Sequence, residues 1–460
     1  MFDTYKRFAA KRGQNPPCLK ETIAAIKADA KPSVHSLLAN AQRTGRVLVQ
    51  PRCGVGCPTE MTELLRYLET NSDPDILSLT IDAHTRLLRF EVLDRVVETA
   101  PQNLNGYPLL SHGWEKTRAL NKAVSTPIEV RHGSPDGRLL FAAAIASGIT
   151  SYEGGGIGYN IPYCKKVPLD SSLHYWQEVD AFAGELGASG VSVDREFFGT
   201  LTAVLIPPGI SIAMSLLEAF LAAREGVRCL SIAYCQGGHV AQDVAALRAI
   251  KSLGERYLPE GVDVFPVLHQ FMGAFPERPL PANSLIALGA LTAKMGGATK
   301  MINKTSEEAL GVPVPKVNAK GIQLSQLFNG RGFDSIPIDE GRVSEEQAWI
   351  ETEVAELISP ILAQSDPIAA ICAAFEKGTL DVPFSASMYA RSDVLPARDR
   401  DGAIRILRPG ALPFSHATKA RHIRQLERKT ASAGTSDFHK LRDDILYFAK
   451  DVAPELHDHT

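Results

Sequence analysis

Residues 127–156 read PIEVRHGSPDGRLLFAAAIASGITSYEGGG. The short apolar run Ile128–Val130 gives way to Arg131-His132-Gly133. A helical stretch follows, and a second apolar run, Ile149–Tyr152, ends in Glu153-Gly154-Gly155-Gly156. Strand, polar or glycine-rich exit, helix and strand again is the unit from which parallel sheets are built. Working outward, the alternation recurs on both sides. Runs at Val47–Gln50, Ile76–Ile81, Leu201–Ile206, Cys229–Tyr234, Val264–Leu268 and Lys300–Asn303 bring the expected strands to eight. Between them Met61, Leu64, Leu65 and Leu68 follow the i, i+3, i+4, i+7 rule of a helix face, as Met214, Leu217 and Leu221 do in part. Gly226 stands where a helix would be capped before the Cys229 run. Eight such units over about 270 residues fit a (β/α)8 TIM barrel. An open doubly wound sheet alternates in the same way but usually with fewer strands.

The rest of the 460 residues divides around that block. Residues 1–45 read as an N-terminal arm, 46–320 as the barrel, and 321–460 as a C-terminal extension packed on it. The extension holds a helix near Glu345–Leu362, a hairpin turning at Asp399–Gly402 and a charged helix near Ala417–Lys429. Apolar residues at 45% and charged residues at 22% are the balance of a soluble protein with a sizeable core. A formal net charge of −3 argues against a broad basic nucleic-acid surface. No run approaches the length of a membrane span, and the charged start MFDTYKRFAAKRGQ lacks the apolar core of a secretory signal. Seven irregularly spaced cysteines suit a cytoplasmic protein with free thiols. Cys53 and Cys57 form the one close pair, without further ligands at metal-site spacing, so no metal is expected.

The chemistry gathers at the strand ends. The first strand runs into Gln50-Pro51-Arg52, the second into Asp82-Ala83-His84-Thr85-Arg86, the third into Arg131. The fourth delivers Glu153, with Tyr159 and Tyr163 close behind; the seventh ends at His269-Gln270; the eighth leads to Lys304 and, one turn on, Glu308. C-terminal strand ends converge on one mouth of a barrel, so three arginines would face the same small volume. Buried cations without counter-charge are expensive, and a dicarboxylate ligand would supply it through bidentate pairing. Each residue also has a plainer reading. The arginines would then pair with rim acids, Glu153 would be a rim carboxylate, the tyrosines would be packing rings, and His269 a satisfied core histidine. Lys304 suggests a Schiff-base lysine, but Glu308 nearby favours a paired ammonium. The glycines after Glu153 match neither common phosphate-binding pattern; they read as close backbone approach to a ligand.

These residues sit within motifs that resemble a known family. QPRCGVG (50–56), LTIDAHTR (79–86), RHGSPDGRLL (131–140), YEGGGIGYNIPY (152–163), QDVAALR (242–248), LHQFMGAFP (268–276) and GGATKMINKTSEEALG (296–311) resemble the large, or epsilon, subunits of adenosylcobalamin-dependent glutamate mutase (methylaspartate mutase). The likeness runs collinearly from Val47 to Phe414. It implies a TIM barrel that binds glutamate through an arginine claw at Arg52, Arg86 and Arg131. A catalytic base toward the substrate amino group falls on Glu153. Substrate-binding positions fall on Thr80, His132, Tyr159 and Tyr163, and contacts to the adenosyl ribose of the cofactor on Lys304 and Glu308.

The activity so implied is the reversible rearrangement of L-glutamate to (2S,3S)-3-methylaspartate by a 5′-deoxyadenosyl-radical mechanism. Base-off cobalamin carriers usually show Asp-x-His-x-x-Gly. Here Asp82-Ala83-His84 is followed by Thr85, Arg86 and Leu87, so the cobalt-ligand histidine is expected on a separate small cobalamin-binding subunit, two large chains assembling with two small ones. Tyr152, Cys53 and Gly158 depart from the residues expected of the family. Rival readings are a paralogous mutase for another acidic amino acid, a Schiff-base lyase or aldolase, and a catalytically silent binding subunit.

Overall fold

In the computed structural model, which describes residues 1–131, 133–427 and 437–450, eight parallel strands form one sheet. They are β1 (Leu48–Pro51), β2 (Leu77–Thr80), β3 (Ile128–Arg131), β4 (Ser151–Glu153), β5 (Asp194–Phe197), β6 (Cys229–Cys235), β7 (Asp263–His269) and β8 (Lys300–Asn303). Their order is β1-β8-β7-β6-β5-β4-β3-β2. Leu48 registers with Lys300 and Pro51 with Asn303, which brings β1 around to β2. That last seam is held by two backbone bonds, Asp75 N–H to Val49 O at 3.1 Å and Thr80 N–H to Cys53 O at 2.8 Å. Side chains complete it. Gln50 Nε2 donates to Ser78 Oγ at 2.8 Å, and Ser78 Oγ donates to Pro51 O at 2.5 Å. With helices between successive strands, this is the (β/α)8 barrel.

One strand differs from expectation. Leu201–Ile206 is not the fifth strand but a loop beyond it, with a 3-10 turn at Thr202–Val204 and left-handed backbone at Ala203 (φ 54) and Val204 (φ 46). The strand is Asp194–Phe197, whose sequence DREF carries three charges in four residues. Apolar patterning discards such a run. It is nevertheless fully buried, because its charges find partners on other elements. Arg195 meets Asp180 at 2.7 Å, and Glu196 meets Lys300 at 2.6 Å.

The strands present two unlike faces. Leu77, Leu79, Ile128, Val130, Leu230 and Ile232 belong to the buried apolar layer under the helices. The alternating positions Gln50, Ser78, Glu129, Ser151, Asp194 and Lys300 are equally buried and polar; they fill the barrel interior. Below, the helix Val34–Thr44 sets Val34, Leu38 and Ala41 against Leu48, Ile76, Cys229 and Phe265, at or near the N-terminal ends of their strands. It stoppers that end of the barrel.

Beyond β8, the helix Glu340–Leu362 packs along the helices Pro208–Arg224 and Val240–Tyr257. A hairpin of β9 (Leu395–Arg398) and β10 (Ile404–Arg408) turns at the expected place. It is tied down by Arg405, which pairs with Glu346 and with Asp399 at 2.8 Å. The charged helix spans His416–Glu427; its expected end at Lys429 lies outside the described residues, as does His132. No described helix is long and apolar enough to cross a membrane.

Candidate active site

A cavity of about 310 Å³ opens at the C-terminal ends of the strands. Arg52 reaches it from just beyond β1, Thr80 from the end of β2, Arg131 from the end of β3 and Glu153 from the end of β4. Arg86, Tyr159 and Tyr163 line it from the loops that follow, while Phe198, Leu201 and Met272 form an apolar wall. A smaller hollow shares Arg52 and Thr80 and is lined by Glu308, which ion-pairs with both Lys304 and Arg52. A larger hollow of about 680 Å³ lies at the other end of β3 and β4, beside Lys31, Arg118 and Asn121. Barrels place their chemistry at the C-terminal mouth, and the convergent charged groups are there too.

Arg86 is delivered by a capped turn. Asp82 accepts from the backbone N–H of His84 at 2.8 Å and of Thr85 at 2.9 Å, and from the Thr85 hydroxyl. The Asp-Ala-His triplet is thus an N-cap for the turn Ala83–Arg86.

The three arginines differ in their partners. Arg131 is 5% exposed and its Nη1 lies 3.2 Å from both Glu129 and Glu196, while Nη2 pairs with Glu153. Burial disfavours its charge, but these three acids outweigh burial and keep it protonated. Arg52 shares Glu308 at 3.2 Å. Arg86 has no carboxylate at ion-pair distance among the described residues, and its buried Nε has no hydrogen-bond partner. Burial pulls its pKa down.

Glu153 is 2% exposed. Burial drives its carboxyl up, Arg131 opposes, and Glu196 and Glu129 add to the rise, leaving it at about 8. A group so poised can hold or accept a proton near neutral pH. Beneath it lies a closed charge network. Lys300 pairs with Glu129 and Glu196, and His269 Nε2 lies 2.9 Å from Glu196. Burial pushes Glu129 up to about 7 and His269 down to about 4, so the imidazole is neutral. Burial also penalises the Glu196 charge, but Lys300, Arg131 and the His269 bond prevail and hold it well below the carboxylate range. Oxygens of Glu129, Glu153 and Glu196 lie within 4.8 Å of one another, a grouping able to bind a metal ion. Arg131 and Lys300 already supply the positive charge there.

Tyr159 stacks on Phe198 with centroids 5.5 Å apart and on Tyr163 at 5.9 Å. The glycines before it give close approach to the protein's own side chains, where the sequence reading expected a ligand. A Cβ on Gly154 would fall 2.2 Å from Trp176, and one on Gly155 would fall 2.2 Å from Glu218. The protein itself fills that space. Glu218 accepts from the N–H of Ile157 at 2.6 Å and of Gly158 at 3.0 Å, and so anchors the tyrosine loop.

Sequence reasoning missed Glu218, Arg195 and the Glu129–Glu196–Lys300 network. Only Glu129 had a local signal: two residues before Arg131 on a strand, it must share that arginine's face. None of the unexpected residues lines the mouth cavity, although Cys53 borders the smaller hollow beside it. Tyr152 packs outside the strands against Phe141 at 5.2 Å. Cys53 donates its thiol to Ser78 O in the β1–β2 seam. Gly158 abuts Gly199 O, where a Cβ would come within 2.9 Å.

Comparison with known proteins identifies the family. The profile of the family described as Methylaspartate mutase E chain (MutE) matches residues 30–452. The glutamate mutase epsilon subunit of Halobacterium salinarum is 41% identical over 418 residues, 89% of this chain and 87% of that one. That of Desulfitobacterium hafniense is 40% identical, covering 90% and 88%. That of Escherichia coli O157:H7 is 38% identical, covering 89% and 87%. The chain belongs to the methylaspartate mutase E-chain family, that of the glutamate mutase epsilon subunits.

Proposed function

We propose that the mouth cavity binds L-glutamate and holds it through rearrangement to 3-methylaspartate, with adenosylcobalamin brought over the mouth by a separate small subunit. The observation that carries this is Arg86. A half-buried guanidinium facing a cavity, its Nε buried without a hydrogen-bond partner and no carboxylate at ion-pair distance among the described residues, calls for an anion from outside. Arg52 stands beside it on the same wall. Together they offer forks for carboxylates, while Glu153, already facing Arg131, is placed for the amino end. Glu153 holds or takes a proton at its carboxylate, and Tyr159, Tyr163 and Thr80 add polar atoms around the ligand. The apolar wall of Phe198, Leu201 and Met272 limits water.

The residues present suit the ribose end of the cofactor. Lys304 and Glu308 form a donor–acceptor pair at the rim, the chemistry that recognises neighbouring hydroxyls. When bound, adenosylcobalamin supplies the radical chemistry of the carbon-skeleton change, and the protein supplies binding and position. Asp82 is engaged in capping, which supports placing the cobalt-ligand histidine on the partner. Two large and two small chains are the assembly proposed.

The test is co-expression with the small subunit and an assay of glutamate isomerisation. Reconstituted enzyme should convert glutamate, and the large chain with adenosylcobalamin alone should not. Full activity of the single chain would overturn the two-component reading. A reconstituted enzyme that ignores glutamate would overturn the substrate.

A further inference from the structure

We infer that Arg195, which does not touch the cavity, is a positioning residue that fixes the direction of Glu153. The inference rests on the reading that Glu153 does the proton work.

Arg195 lies on β5 with its side chain on the helix-facing side of the sheet, fully buried. Its Nη1 donates to Tyr152 O and its Nη2 to Gly154 O, each at 2.9 Å. These are the carbonyls on either side of Glu153. Nε donates to Asp180 Oδ1 at 2.7 Å, and the Trp176 ring lies 4.9 Å from the guanidinium carbon. One planar group therefore grips the chain before and after the acid, and is itself held by a carboxylate and a ring.

The backbone needs such a grip at this point. β4 is only three residues long and ends at Glu153. Gly154 has φ +148, outside strand geometry, and Trp176 blocks any side chain there. Its N–H still bonds Glu196 O at 3.0 Å, while its carbonyl turns toward Arg195. A buried carbonyl leaving the ladder must find a donor. The guanidinium provides it and in doing so sets the angle at which Glu153 enters the cavity. Lysine could keep the charge but could not meet both carbonyls and Asp180 at once.

The experiment is a double-mutant cycle on the reconstituted enzyme with Arg195→Lys, Glu153→Gln and the combination. Melting temperature and near-ultraviolet circular dichroism are recorded for each. Arg195→Lys should lower kcat on the order of 10²-fold, the scale of a misplaced catalytic group, with KM within a few-fold. In the Glu153→Gln background it should cost less than about 3-fold more, because a group that acts through Glu153 has nothing left to position. Losses that multiply, or a folded Arg195→Lys enzyme with wild-type kcat, would overturn the inference while leaving the Glu153 reading intact. Wild-type turnover in Glu153→Gln would overturn both. Should Arg195→Lys fail to fold, Asp180→Asn weakens the anchor while leaving the fork. Its smaller kcat loss should likewise vanish in the Glu153→Gln background, and a loss that persists there counts against the inference.

Discussion

The floor of the barrel is fully buried and its mouth half-open, and both are rich in charge, yet they are built on opposite terms. On the floor every charge has a protein partner: Lys300 lies between Glu129 and Glu196, and Glu196 also takes His269 and Arg131. At the mouth Arg86 has no acid among the described residues, and Arg52 has only a shared, partly exposed Glu308. A matched interior is structure. An unmatched charge beside a cavity is an invitation to a ligand. The two meet at Arg131 and Glu153, which pair with each other and both line the mouth, while Arg131 also holds two acids of the floor.

That junction is where the contrast breaks most sharply. Glu153→Gln keeps the shape of the side chain but cannot accept a proton, and should lower kcat of the reconstituted enzyme by about 10²–10⁴-fold. Circular dichroism should report an unchanged fold. Turnover at the wild-type level would return Glu153 to the matched floor.

On the floor itself, loss should appear as instability. Lys300→Met removes the cation between two buried acids and should destabilise the protein by about 3–5 kcal/mol in urea unfolding, the usual cost of orphaning a buried charge. A stability within about 1 kcal/mol of wild type would mean that the acids shed their charge at little cost. The reverse is expected at the mouth. Arg86→Lys leaves stability nearly unchanged but exchanges a bidentate fork for a point donor. It should cost about 1.5–3 kcal/mol in transition-state binding, roughly 10–150-fold in kcat/KM. Wild-type kinetics would make Arg86 a rim decoration.

Glu218 is the acid counterpart of Arg86, a buried charge-bearing group without an ion-pair partner among the described residues, but turned away from the cavity. Burial raises it from 4.5 to about 7, against the two loop N–H groups and the attraction of Arg195. Between those values the folded protein holds a proton that the unfolded chain has lost. Wild-type stability from this group therefore falls as pH rises through the window, by at most about 1.4 kcal/mol per pH unit. Glu218→Gln cannot ionise. The stability of the variant relative to wild type should climb from pH 5 to 7 and level off above. A flat difference would show that Glu218 is charged in the fold.

Much of the mouth was legible because barrel geometry turns chain order into convergence. Once strands end at Arg52, Thr80, Arg131 and Glu153, the fold leaves them one place to point, and the cavity they line follows. The floor was illegible for a complementary reason. In β5, Asp194-Arg195-Glu196 reads as solvent-facing polarity, and only partners more than a hundred residues away or on another layer make such a run a buried strand. The apolar stretch Leu201–Ile206 competed for the assignment and won on hydropathy alone. The glycines after Glu153 carried a true message of close approach, but what approaches is Trp176 and Glu218, and local sequence cannot name them.

By itself, then, the sequence determined the alternation that closes a barrel, and through long motifs it determined the family and which residues reach the mouth. Those properties depend on local periodicity and on side-chain identity at strand ends. Tertiary structure alone decided which charges were already neutralised. It paired Arg131 with Glu129 and Glu196, left Arg86 to the cavity, and set Arg195 behind Glu153. The energy of a buried charge depends on what stands within a few ångströms of it, and that distance exists only after the chain has folded.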